Sequence, residues 1–130
     1  MGKKIAVLGT GANGSCTAAD LERSGHDVVM IDQWPAHIEK IRADGLRIRM
    51  PDEEIHVRPR AWHLADVCTL GETWDIVFLM AKAYDTRWAC QLIEPLLKRD
   101  GLLAGVQNGM TADIVAEVVG PERTMGCVIE

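Results

Sequence analysis

Six residues near the N-terminus, Gly9-Thr10-Gly11-Ala12-Asn13-Gly14, place glycine at the first, third and sixth positions. A loop of this kind can cradle a pyrophosphate. The first glycine permits a tight turn, the second lets the backbone approach the phosphates, and the third lets a following helix pack closely on the preceding strand. The first amides of that helix then face the phosphates with a partial positive charge. Asp32 lies one helix and one strand further on, where a carboxylate can accept hydrogen bonds from a ribose hydroxyl. Two more residues are candidates for ligand contact. Lys82 follows the apolar run Asp-Ile-Val-Phe-Leu-Met and carries an ammonium that attracts a carboxylate or phosphate. Asn108, in Val-Gln-Asn-Gly-Met, offers a donor and an acceptor on one short side chain.

Other reactive side chains give no second site. The histidines (His26, His37, His56 and His63) form no pair at metal-ligand spacing, and Cys16, Cys68, Cys90 and Cys127 contain no C-x-x-C. No metal is expected. The cysteines are expected as buried, reduced thiols packing as small hydrophobes, and the histidines as structural or exposed. Trp34, Trp62, Trp74 and Trp88 read as packing or interface residues, since no basic stripe accompanies them. The chain carries 14 basic and 19 acidic residues, a net charge of −5. That balance argues against nucleic-acid partners, which require displacement of counterions by a basic face. No apolar run approaches the ~18 residues of a membrane span, so the chain is expected to be cytoplasmic.

The elements that must position these residues alternate. Lys4–Leu8 predicts a buried strand and Gly14–Ser24 a helix, with Cys16, Ala19 and Leu21 inward. Asp27–Ile31 is a second strand, and Pro35 opens a helix with Ile38 and Ile41 buried. Leu46–Met50 and Ile55–Arg58 alternate apolar with polar around Pro51-Asp52-Glu53-Glu54, which predicts an inserted antiparallel hairpin. Its arginines read as a solvated face. Asp75–Met80 is a strand. A helix from Tyr84 follows, kinked or broken at Pro95 and closed by Gly101. Leu102–Val106 is the next strand. Thr111 is placed to cap a helix burying Ile114, Val115, Val118 and Val119, and Met125–Ile129 begins a last strand. Strands joined by helical crossovers predict one α/β domain over residues 1–130: a Rossmann-type, doubly wound, mainly parallel sheet with an inserted β-hairpin. The glycine loop and Asp32 then predict dinucleotide binding.

The first loop, Lys82 in Met-Ala-Lys-Ala-Tyr-Asp, and the Val-Gln-Asn-Gly-Met run together resemble the ketopantoate reductase (2-dehydropantoate 2-reductase) family. The resemblance extends over essentially the whole chain, including the hairpin and Gly-Pro-Glu-Arg-Thr-Met-Gly. It implies a Rossmann domain that works beside a C-terminal helical substrate domain. It also implies reduction of a 2-keto acid to a 2-hydroxy acid with a nicotinamide cofactor, as in pantothenate biosynthesis. The family's loop contacts fall on Gly9, Thr10, Gly11, Ala12, Asn13 and Gly14. Its cofactor- and substrate-facing lysine and asparagine fall on Lys82 and Asn108.

Two departures shape the expectation. The family commonly uses NADPH, with a basic residue after the second strand, whereas this chain has Asp32-Gln33 there. NAD is therefore expected, with NADP the less favoured alternative. The family's proton-donating lysine and substrate-holding carboxylate belong to the helical domain, which is absent from these residues. The chain is thus expected to bind cofactor but to be inactive alone, with Lys82 and Asn108 orienting a small 2-keto acid. The surface left by the missing domain is a candidate for homo-oligomer contact. The alternatives are a stand-alone NAD-sensing regulatory domain and a related NAD-dependent hydroxy-acid dehydrogenase.

Overall fold

Lys4–Leu8 (β1) and Asp27–Asp32 (β2) are apolar runs that a parallel sheet buries on both faces. In this computed structural model, which describes residues 2–129, they lie side by side at the centre of the sheet. Between them Ala12–Arg23 forms helix α1, starting earlier than the sequence predicts because Gly11 serves as its N-cap. Its inward face is Gly14, Ser15, Ala18 and Ala19. Of the expected face only Ala19 is buried; Cys16 is exposed and Leu21 half-buried. Small residues win because the helix must lie close against β1.

Pro35–Asp44 forms α2, with Ile38 and Ile41 buried as expected. Leu46–Arg49 (β3) and Glu54–Val57 (β4) pair antiparallel as a separate two-stranded sheet, Leu46 opposite Val57 and Ile48 opposite Ile55. Arg60–His63 (β5) then adds a parallel strand beside β2. The sequence reading misses it, because an edge strand here buries only Ala61 and shows no apolar run.

Trp74–Leu79 (β6) pairs with β1 on the other side. Thr86–Ile93 forms α3, and Pro95 ends it in the short 3-10 turn Glu94–Leu96. Leu97–Val106 (β7) starts before the expected strand, so Gly101 lies inside it rather than closing a helix. The register slips between Trp74, opposite Leu97, and Ile76, opposite Leu102. At the slip Asp75 accepts from Lys98 Nζ at 2.9 Å and from the Lys4 amide at 2.8 Å. These bonds hold its carboxyl below the usual range. Ala112–Val119 forms α4, burying Val115 and Val119 with Ile114 and Val118 half-buried. The Thr111 side chain makes no capping bond; its carbonyl accepts from Val115 N–H instead. Thr124–Cys127 (β8) closes the far edge.

The main sheet runs β5-β2-β1-β6-β7-β8, all parallel. Alternate residues of the strands feed two cores. Ala18, Ile38, Ile41 and Ile55 pack on one face, under α1, α2 and the hairpin. Ala89, Ile93, Val115 and Val119 pack on the other, under α3 and α4. This is the doubly wound, Rossmann-like arrangement. Among the described residues no helix is long and apolar enough to cross a membrane.

The cysteine expectation holds only in part. All four thiols are free, but only Cys90 is buried. Cys16 sits on the outer face of α1, Cys68 in the turn Leu64–Thr69, and Cys127 at the edge strand's open end. Burial pushes the Cys90 thiol up to about 11. A disulfide reagent at pH 8 should therefore modify Cys16, Cys68 and Cys127 rapidly and Cys90 only after denaturation. Four rapid thiols would mean that α3 is not packed as described.

Candidate functional site

Strand order reverses direction between β1 and β6, because β2 leaves β1 on one side and β6 joins it on the other. Open sheets bind ligands at the carboxyl ends of strands beside such a point. Here β1 runs into the glycine loop and β6 into Met80-Ala81-Lys82. The two chain ends are close. Gly9 has φ +96°, and a β-carbon there would meet the Ala81 amide nitrogen at 2.5 Å. A β-carbon at Gly14 would meet the Gly9 carbonyl oxygen at 2.0 Å, so α1 rests directly on the loop. Gly11 is different: nothing lies within 4 Å of its missing β-carbon. The protein's own packing does not require that glycine, and the space before it is open to a ligand.

Thr10, buried between these glycines, is bound on every polar atom. Its amide and hydroxyl both donate to Asp32 Oδ2, at 2.7 and 2.8 Å. Its carbonyl accepts from Ser15 Oγ at 2.9 Å and from His37 Nε2 at 2.8 Å. The Nε2 nitrogen must carry the proton, since a carbonyl only accepts. Asp32 Oδ1 takes one bond, from the Trp34 amide at 2.9 Å. Asp32 therefore holds the loop, a role the sequence does not disclose. Oδ1 retains acceptor capacity, and Asp32 also lines the cleft. The first helical bond of α1 runs from Ser15 N–H to Gly11 O. The amides of Ala12, Asn13 and Gly14 thus have no intrahelical partner, the arrangement that suits an anion.

Three adjoining cavities follow the carboxyl edge. The first, about 460 Å³, lies between Asp32, Gln33, Pro35 and Leu64. The second, about 190 Å³, passes Gly9, Gly11, Asp32, Ala81 and Lys82. The third, about 140 Å³, is lined by Asn13, Lys82, Gln107 and Asn108. The structure thus brings Lys82 and Asn108 together at one end and Asp32 toward the other, with the glycine loop between. The three compartments form one run along the carboxyl edge, with the glycine loop between its two ends. Lys82 and Asn108 are both exposed.

Gln107 is the residue that sequence reasoning passes over. It is buried, and its Nε2 donates to Ala81 O at 2.8 Å and to Thr86 Oγ1 at 3.0 Å. Its backbone N–H donates to Cys127 O at 3.1 Å. It therefore ties the β6 loop, α3 and β8 together and sets where Lys82 and Asn108 stand. Its place beside Asn108 was the only available signal. Trp74 and Trp88 pack as expected, with Trp88 Nε1 donating to Asp85 at 2.7 Å. Trp34 is 63% exposed and stacks on His37, with ring centres 5.5 Å apart. Among the described residues no group of three or more His, Cys, Asp or Glu is placed to hold a metal ion.

The sequence model of the family described as Ketopantoate reductase PanE/ApbA matches residues 5–130. A 2-dehydropantoate 2-reductase of Nostoc sp. is 29% identical over 95% of this chain and 38% of its own length. The solved structure of a PanE/ApbA family ketopantoate reductase from Ralstonia eutropha overlays with a TM-score of 0.82 at 28% identity, over 96% of this chain and 40% of that one. D-mandelate dehydrogenase, solved with NADH and anilino(oxo)acetate, overlays at 0.84 with 29% identity, over 93% of this chain and 38% of its own. This chain thus spans about two fifths of the length of these proteins.

The glycines make a direct contrast. Gly14→Ala forces the helix off the loop and should cost about 3 kcal/mol in urea unfolding. Gly11→Ala changes only a helix N-cap and should cost about 1 kcal/mol or less. Equal losses would mean that Gly11 faces protein.

Proposed function

We propose, given that the chain belongs to the ketopantoate reductase family, that it is the dinucleotide-binding part of an enzyme reducing a 2-keto acid to a 2-hydroxy acid. The observation that carries this is the open space at Gly11, in a loop fixed by Asp32 and continuous with the cavity of Lys82 and Asn108. The amides of residues 12–14 bind the pyrophosphate. Asp32 Oδ1 accepts from the adenine ribose, and the base occupies the compartment of Gln33, Pro35 and Leu64. When bound, a nicotinamide cofactor supplies the hydride for ketone reduction. Lys82 draws the substrate carboxylate to the other end of the groove, and Asn108 orients the ketone through its amide.

The Asp32 carboxylate favours NADH over NADPH. A 2′-phosphate charge at ~6 Å is repelled by about 3 kcal/mol at an effective dielectric of ~20, less after solvent screening. The likeness to D-mandelate dehydrogenase, solved with NADH, supports the same choice. That likeness also favours an aromatic 2-keto acid as a second candidate substrate beside ketopantoate. Among the described residues Lys82 is the sole ionisable side chain lining the 140 Å³ cavity. We take this chain alone to bind cofactor without turning over, because Lys82 is engaged by the substrate carboxylate and no other described side chain lining that cavity carries a proton to give.

Fluorescence titration should show NADH binding at least about tenfold tighter than NADPH, and Gly11→Ala weakening NADH more than about tenfold by blocking pyrophosphate approach. Asp32→Ala with Gln33→Arg should reverse the preference, but with weaker binding of both, because Thr10 loses its anchor. Tighter NADPH binding to the unmodified chain would place Asp32 away from the ribose. Steady oxidation of NADH by the isolated chain with a 2-keto acid would refute the lack of turnover.

A further inference from the structure

The groove forks at Asp32. One arm is the compartment of Gln33, Pro35 and Leu64. The other, about 610 Å³, leaves Thr10 and Gly11, passes Trp34 and His37, and reaches β3 at Arg47 and Arg49. A ribose seated on Asp32 carries its base on C1′ and a hydroxyl on the adjacent C2′. With the base in the first arm and the phosphates at the glycine loop, the second arm is the remaining compartment that Asp32 lines.

That second arm is locally basic in a chain of net charge −5. Arg47 and Arg49 are exposed and lie two apart on one strand. Arg47 is 3.6 Å from Glu54 across the hairpin, an exposed pair that holds it weakly. Arg49 makes no ion pair among the described residues. Arg47 also lines an adjoining cavity with Arg58. Asp32, the acid at the fork, has Oδ2 taken by two bonds from Thr10 and keeps acceptor capacity on Oδ1, which the Trp34 amide alone engages.

We propose that Arg47 and Arg49 form a phosphate-monoester subsite that receives the 2′-phosphate of NADPH, and so limit the preference for NADH that Asp32 imposes. This rests on the dinucleotide reading of the groove. Guanidinium groups suit the role, because they pair with phosphate through two parallel N–H···O bonds. The hairpin, which otherwise buries Leu46 and Ile55 in the core beside α1, becomes a determinant of cofactor choice. Glu54 acts as a competitor that occupies Arg47 when no phosphate is present.

The test titrates NADH and NADPH into the unmodified chain, an Arg47→Gln/Arg49→Gln double variant and Glu54→Gln, with inorganic phosphate as a competing ligand. The double variant should weaken NADPH about tenfold and NADH by less than about twofold. Glu54→Gln should tighten NADPH about twofold by releasing Arg47. Phosphate should compete with NADPH more strongly than with NADH, and this difference should vanish in the double variant. Equal weakening of both dinucleotides, unchanged NADPH affinity in both variants, or phosphate competition independent of the arginines would overturn the subsite while leaving NADH binding intact. If the unmodified chain binds neither dinucleotide, the reading of the groove itself falls, and the subsite with it.

Discussion

Asp32 and Thr10 make the contact on which the other parts of the cleft depend. A carboxylate at the end of β2 accepts two hydrogen bonds from one residue of the loop that follows β1. Hydrogen bonds to a charged group contribute about 1.5–3 kcal/mol each, enough to hold a glycine-rich loop that would otherwise sample many conformations. Ser15 and His37 fix the same residue from α1 and α2. With Thr10 fixed, Gly9 is pressed on Ala81 and Gly14 on Gly9, so α1 starts at one defined place. Its free amides and the open face of Gly11 then point along the groove. On the proposed reading, pyrophosphate recognition thus depends on a polar network that contains none of the amides of residues 12–14.

The far end of the groove is built in the same way. Gln107 fixes the β6 loop to α3 and β8 through three hydrogen bonds. Lys82 and Asn108 are themselves exposed. Exposed side chains are placed by the backbone they stand on, and Gln107 fixes that backbone on both sides. At each end, then, a buried polar side chain spaces the groups that line the groove. The cost of leaving such a group unpaired makes the spacing reproducible.

Much of this was legible in the sequence, because parallel strands with two buried faces must be apolar throughout. Ile5–Leu8, Val28–Ile31 and the run ending at Leu79 announced themselves in that way. The glycine spacing and Asp32 were equally plain. β5 was not, since an edge strand with one buried residue has no pattern to read. The exposure of Cys16, Cys68 and Cys127 was hidden for a related reason: a thiol is compatible with either environment, and only packing decides. The sequence singles out Asp32, but its partner in the loop could not be read. Thr10 sits in a loop whose sequence pattern marks glycines and says nothing of the residue between them. Gln107 was obscured by the more conspicuous Asn108-Gly109 beside it.

On the proposed reading a dinucleotide lies along the carboxyl edge, across the loop that Thr10 anchors. Backbone amide chemical shifts of the isotopically labelled chain, recorded as NADH is added, test it most directly. Saturable shifts are expected at Gly11 to Ser15, at Asp32 and Gln33, and at Lys82 and Asn108, with the outer faces of α3 and α4 silent. Shifts confined to any other surface, or none at millimolar NADH, would contradict it.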